Sequence, residues 1–284
     1  MTRTVLVPLD GSERSEQTLW HVHPLVERLG LRLSLLRCVA PAGDPDGDLA
    51  RGVQDYVAGL ANRLQGAGLT ARPRVRRGDA AAEILAEVAA TSPYLVALTS
   101  HGRGGVSRWV RGSVAERLLR RCPAPLLLCR TERAHDDPDA PPFRRIVVPL
   151  DGSARAEQVL PLVQDLARAN GAQVALLRVG RRLDLAADDL PPTAESLTDS
   201  LEGTRARLEG AGVTVSVHGR FGDPAAEVVA HAEEREADLV AMTTHGRTGL
   251  ARWLFGSVAE HVFHDFRAPL LVVRPVDLVG PAES

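Results

Sequence analysis

Two kinds of segment in this chain carry residue types suited to chemistry, and each occurs twice. One is Asp10-Gly11-Ser12, repeated as Asp151-Gly152-Ser153. The other is HGRGGVSRWVRGSVAE at residues 101–116, repeated as HGRTGLARWLFGSVAE at residues 245–260, with 11 of 16 positions identical. A loop aspartate accepts hydrogen bonds from hydroxyl groups such as those of a ribose. A glycine-rich loop that runs into a helix suits phosphate, because the unpaired N–H groups and the positive dipole end of the helix attract anions. Gly102 and Gly105 allow a sharp turn and close approach to a ligand, and Arg103 and Arg108 add positive charge. Ser113-Val114-Ala115-Glu116 and Ser257-Val258-Ala259-Glu260 both read S-x-x-E, a capping box, which predicts helices starting at Gly112-Ser113 and Gly256-Ser257. A capping box also serves helices that bind nothing. The phrase is not a dinucleotide fingerprint: it follows a late strand, and Ser107 stands where the last glycine after Gly102 and Gly104 would fall. Trp109 and Trp253 read as core anchors. His101 and His245, with no second ligand at helical spacing, suit loop hydrogen bonding better than metal binding or catalysis.

Composition narrows the chemistry. The chain contains no lysine, so all 34 basic residues are arginines. A P-loop, a kinase strand lysine and a Schiff base are thereby excluded. Phosphate must be held by backbone N–H groups, helix starts, arginine or a metal. A net charge of -2 offers no general attraction for nucleic acid or membrane, and neither is expected as a partner. Cys38, Cys122 and Cys129 lack CxxC spacing and read as buried thiols rather than disulfides or zinc ligands. No apolar run approaches the ~20 residues of a membrane span. The start, MTRTVLVPLDGS, lacks the apolar core and cleavage site of a signal peptide, so a cytoplasmic protein is expected.

The elements that must position these loops are themselves duplicated. VLVPLDGSERSEQTL (5–19) matches IVVPLDGSARAEQVL (146–160), LSLLRC (33–38) matches VALLRV (174–179), and GDAAAEILAEVA (78–89) matches GDPAAEVVAHAE (222–233). APLLLCR (124–130) matches APLLVVR (268–274), in the same order. We therefore expect two domains, 1–133 and 143–279, joined by a linker at 134–142 within the Pro- and Asp-rich stretch TERAHDDPDAPPF. Within a copy, apolar runs alternate with helical patterns, which implies a parallel sheet with helices on both faces and five strands. The helix at 14–29 is expected to be interrupted or kinked near Pro24, and Asp79 is expected to cap the helix that follows it. Arg72, Arg74 and Arg76 alternate on the third strand around Pro73, the pattern of a guarded edge strand. Ligands of open α/β sheets bind beyond the carboxyl ends of the strands, where the strand order reverses. If the first and fourth strands are neighbours, the Asp-Gly-Ser loop and the glycine phrase face one crevice.

Taken together, these residues resemble the universal stress protein family in a tandem, two-domain, ATP-binding form. The family's nucleotide-binding motif is Gly, two residues, Gly, nine residues, Gly, then Ser or Thr. Gly102, Gly112 and Ser113 fit it, as do Gly246, Gly256 and Ser257. VPLDGS and the APLLLCR and APLLVVR strands also look like the family. The motif's first glycine is replaced by Thr99 and Thr243, which is harmless if only a main-chain group acts there. The resemblance implies two tandem open parallel five-stranded sheets, Rossmann-like, of strand order 3-2-1-4-5, with helices on both faces.

It also implies ATP, with magnesium. Pro8, Leu9 and Asp10 would border adenine and ribose, the main chain of Cys38 would meet the adenine edge, and Thr99 would lie beside them. Gly102, Arg103, Gly105, Arg108, Gly112, Ser113 and Val114 would surround the phosphates. The matching set is Pro149, Leu150, Asp151, Val179, Thr243, Gly246, Arg247, Gly249, Arg252, Gly256, Ser257 and Val258. The last strands, 124–130 and 268–274, are expected to pair as a pseudo-dimer within the chain, with a homodimer as a further expectation. No catalytic residue and no metal ligand is assigned, because there is no nucleophile–base pair and no paired carboxylate beyond Asp10 and its repeat. A stress-response or regulatory ATP-binding module is the first reading. A slow ATP-hydrolysing enzyme and a nucleotide-free partner-binding module are the alternatives.

Overall fold

A computed structural model describes residues 3–40, 48–99, 113–130, 141–180, 193–244 and 256–275. The chain divides into two compact units, Met1–Pro142 with Arg267–Leu271, and Phe143–Phe266 with Val272–Ser284.

The first unit runs β1 (Thr4–Leu9), α1 (Glu13–Arg28), β2 (Arg32–Val39), α2 (Asp48–Gly66), β3 (Ala71–Arg77), α3 (Ala80–Thr91), β4 (Leu95–Thr99), α4 (Ser113–Arg121) and β5 (Leu126–Cys129). Its strand order is β3-β2-β1-β4-β5. β1 lies parallel to β2 from Thr4↔Arg32 to Leu9↔Arg37, and on its other side parallel to β4 at Val5↔Leu95 and Leu6↔Val96. Central strands covered on both faces read as continuous apolar runs rather than alternating ones. Val5, Leu6 and Val7 of β1 and Leu95, Val96 and Ala97 of β4 are accordingly all buried. β3 lies at the edge, where alternating arginines cost little.

The second unit repeats the plan: β6 (Arg145–Pro149), α5 (Leu160–Asn170), β7 (Gln173–Gly180), α6 (Ala194–Asp199), α7 (Glu202–Gly210), β8 (Thr214–Phe221), α8 (Pro224–Glu234), β9 (Leu239–Thr243), α9 (Ser257–Asp265) and β10 (Leu270–Val273). Its order, β8-β7-β6-β9-β10, is the same 3-2-1-4-5 plan expected from the resemblance. Five strands in each unit match the number read from the apolar runs. Among the described residues the copies differ in the crossover from the second strand to the third, which holds one helix, α2, in the first unit and two, α6 and α7, in the second. They differ again after the first strand, where a 3-10 turn, Ala156–Val159, precedes α5.

Of the interruption or kink expected near Pro24, the interruption does not occur: α1 continues through it to Arg28. Val22, Leu25 and Val26 on either side of it are buried, and that packing holds the helix together where one backbone hydrogen bond is lost. Asp79 caps α3 as expected, accepting from the Ala82 N–H at 3.0 Å, and Asp223 caps α8 in the same way. Among the described residues no helix is long and apolar enough to cross a membrane.

Candidate functional site

In both units the strand that ends in Asp-Gly-Ser lies beside the strand that precedes the glycine phrase. This is the point where strand order reverses, so the two loops leave the same end of adjacent strands.

The first loop is built by its own side chains. Gly11 has φ +76°, a conformation that disfavours any side chain. The turn brings the Ser12 N–H to Asp10 Oδ1 at 2.9 Å and the Ser12 hydroxyl to the same oxygen at 2.5 Å. Ser12 is also the N-cap of α1, its Oγ accepting from the Ser15 N–H at 3.2 Å. The Asx turn and the helix cap therefore share one serine, which ties the aspartate to the helix start. The second unit repeats it: Gly152 has φ +77°, and Ser153 donates to Asp151 Oδ1 from its N–H at 2.9 Å and its hydroxyl at 2.6 Å.

Sequence reasoning missed an arginine beside each loop, Arg37 on β2 and Arg178 on β7. Arg37 Nη1 donates to the Leu9 carbonyl at 3.3 Å, and Arg178 Nη1 to the Leu150 carbonyl at 3.4 Å. A Cβ built on Gly152 would collide with Arg178 Nη1, so the guanidinium lies directly against the turn. The signal was present: the arginine of LSLLRC recurs in VALLRV. Each puts a fixed positive charge, half-buried, beside the carboxylate loop.

Cys38 follows Arg37 on β2. Its Sγ lies 3.9 Å from the Ala80 carbonyl, and burial, reinforced by Glu83, pushes its thiol up to about 11. The thiol therefore stays neutral at physiological pH. Cys122 and Cys129 are buried as expected, whereas Cys38, also expected to be buried, is only half-buried near the end of β2. Val179, its counterpart, sits on β7 in register with Arg220.

Thr99 ends β4 in register with Cys129, and Thr243 ends β9 as a buried residue. In the second unit the two ends of the glycine phrase are tied together: the Gly256 N–H donates to the Thr244 carbonyl at 2.9 Å. Gly256, at φ −66° and ψ 145°, is the N-cap of α9, and Ser257 is the first helical residue. This corrects the capping-box reading of Ser257. The backbone bond to Thr244 holds Gly256 extended in the cap position, which moves Ser257 one residue into the helix. The helix start was read correctly, but no side chain caps it. Ser113 and Val114 begin α4, and Val258 lies in the first turn of α9. Gly102, Arg103, Gly105, Arg108, Gly112, Gly246, Arg247, Gly249 and Arg252 lie outside the described residues, as do His101, His245, Trp109, Trp253 and the linker at 134–140. Among the described residues no group of three His, Cys, Asp or Glu side chains is placed to hold a metal.

The arginines of β3 have a structural partner. Glu87 of α3, its side chain 2% exposed, accepts from Arg76 Nε at 3.1 Å and Nη2 at 2.5 Å, and Arg74 Nε lies 4.0 Å away.

Two tandem α/β units, each built on parallel strands whose order reverses between the strand that leads into Asp-Gly-Ser and the strand that leads into the glycine phrase, define the class of protein. The model of the universal stress protein family matches residues 1–130 and 142–274, and the chain belongs to that family. It is similar to a universal stress protein of Mycobacterium tuberculosis, 34% identical over 191 residues that cover 63% of this chain and 61% of the relative. The match thus spans about three fifths of that curated relative's length. A universal stress protein of Methanocaldococcus jannaschii is 32% identical over 140 residues, covering 46% of this chain and 82% of that one. In fold, the chain is similar to the crystal structure of a universal stress protein from Archaeoglobus fulgidus, with a TM-score of 0.74 over 95% of this chain and 98% of that one, at 20% identity.

Proposed function

We propose that each unit binds ATP with magnesium, and that the chain acts in the cytoplasm as a stress-response or regulatory module with little or no catalysis. The observation that carries this reading is the adjacency, in both units, of the strand ending in Asp-Gly-Ser and the strand leading into the glycine phrase. Asp10 and Asp151 present carboxylates at a fixed position to ribose hydroxyls. The start of α9, which no side chain caps, offers backbone N–H groups to phosphate. Arg37 and Arg178 add positive charge without a lysine. Magnesium, when bound, neutralises phosphate charge and takes most of its oxygen ligands from phosphate and water.

Regulation and hydrolysis make different predictions for turnover. ATP consumption by the wild type and by the Asp10→Ala, Asp151→Ala double variant is the discriminating comparison. The regulatory reading expects no robust saturable rate in either protein. A saturable wild-type rate that the double variant loses would replace it with an ATP-hydrolysing enzyme.

A further inference from the structure

The seam between the edge strand and the following helix is built differently in the two units. In the first it holds Glu87 against Arg76 and Arg74. The residues 144 positions later are His231, Arg220 and His218. The carboxylate has become an imidazole, and one of its arginines a second imidazole. His231 is 3% exposed, and neither of its ring nitrogens has a hydrogen-bond partner. Its ring centroid lies 4.7 Å from that of His218. Arg235 Nη2 lies 2.9 Å from His218 Nε2 and 3.2 Å from Nδ1, and the Ser216 hydroxyl lies 2.9 Å from Nε2. A guanidinium only donates, so these contacts require an unprotonated imidazole nitrogen.

We propose that the β8–α8 seam is an acid-sensitive latch, confined to the second unit: protonation of the His218–His231 pair loosens α8 from β8, while the β3–α3 seam, which has no imidazole, stays closed. The surroundings oppose protonation from several sides. β8 contributes Ser216, His218 and Arg220, α8 contributes Glu227, Glu233 and Glu234, and Arg235 follows the helix. Arg220 is paired with Glu234 and, at 3.4 Å, with Glu227, so those carboxylates are already engaged. β7 and α9 also pack on α8. Their Arg178, Glu260, His261, His264 and Asp265 are not among the leading charges on His231. Those charges are His218, Arg220 and Arg235, which oppose protonation, and Glu234, which favours it.

Burial, followed by His218, Arg220 and Arg235, brings His231 down to about 4 from 6.5, and burial and the two arginines lower His218 as well. Because the folded value lies below the unfolded one, the stability that depends on neutral His231 is fully present above pH 6.5. It is lost progressively as pH falls toward 4. At pH 5 that one group favours the open seam by about 20-fold relative to neutral pH.

Hydrogen exchange of the whole chain at pH 7.5 and pH 5.0, corrected for intrinsic rates, tests the latch. The expected result is that amides of 214–234 lose protection by about 10- to 30-fold at the lower pH, while those of 71–91 change by less than about threefold. The His218→Arg, His231→Glu variant, which installs the first unit's residues, should lose the difference. His231→Leu should also lose most of it, and it serves if the double variant does not fold. An equal loss in both seams, no loss at 214–234, or an undiminished loss in either folded variant overturns the proposal. The wild-type measurement decides even if neither variant folds.

Discussion

Replacing Gly112 and Gly256 together with valine is expected to abolish stabilisation by Mg-ATP while leaving both units folded. At a ligand concentration one hundred times Kd, binding stabilises the wild type by about 2.7 kcal/mol. The double variant should show none of this. The backbone at Gly256 tolerates the change. At φ −66° and ψ 145° it is in ordinary extended conformation, and its N–H bond to Thr244 survives substitution. The unliganded variant should therefore stay within about 1 kcal/mol of wild type, the scale of N-cap effects. What changes is the space before the first turn of α9, where an isopropyl group meets any phosphate approaching the helix start. Thermal or urea unfolding with and without Mg-ATP measures both quantities. An unchanged ligand shift would place the nucleotide elsewhere.

The largest purely structural effect is expected at Leu176, which is fully buried on β7. It stands in register with Val148 of β6 on one side and Val217 of β8 on the other. Leu176→Ala should cost the second unit about 2–5 kcal/mol, from lost transfer free energy plus the cavity left behind. Leu35 holds the equivalent place on β2, between Val7 and Pro73, and Leu35→Ala should lower the first unit by a similar amount. Urea unfolding followed by hydrogen exchange assigns each loss to its unit. A loss below about 1 kcal/mol would mean that the strand is not packed on both faces.

These two experiments address parts of the molecule that were legible to very different degrees. Apolar runs such as YLVALT announced the buried strands, because parallel central strands are covered on both faces. The duplicated Asp-Gly-Ser and glycine phrases announced the two loops, and the family resemblance supplied the strand order that makes them neighbours. What was illegible depended on contacts distant in sequence. S-x-x-E pointed to Ser257 as the cap, but a backbone bond from Gly256 to Thr244, across the glycine phrase, sets the cap one residue earlier. Pro24 signalled a break that buried neighbours override. Arg178 looked like an ordinary strand residue until its guanidinium was found against Gly152. His231 sits at helical spacing among alanines and glutamates, and only the fold brings it against His218 across the seam.

The central claim is that both units are built to hold ATP. The most direct measurement is to denature the purified chain, identify any nucleotide released, and then titrate the nucleotide-free protein with Mg-ATP. The account predicts recovery of ATP or saturable uptake of it, with uptake reaching two molecules per chain. No released nucleotide and no saturable uptake would contradict it, and would leave a universal stress protein whose crevices serve something other than ATP.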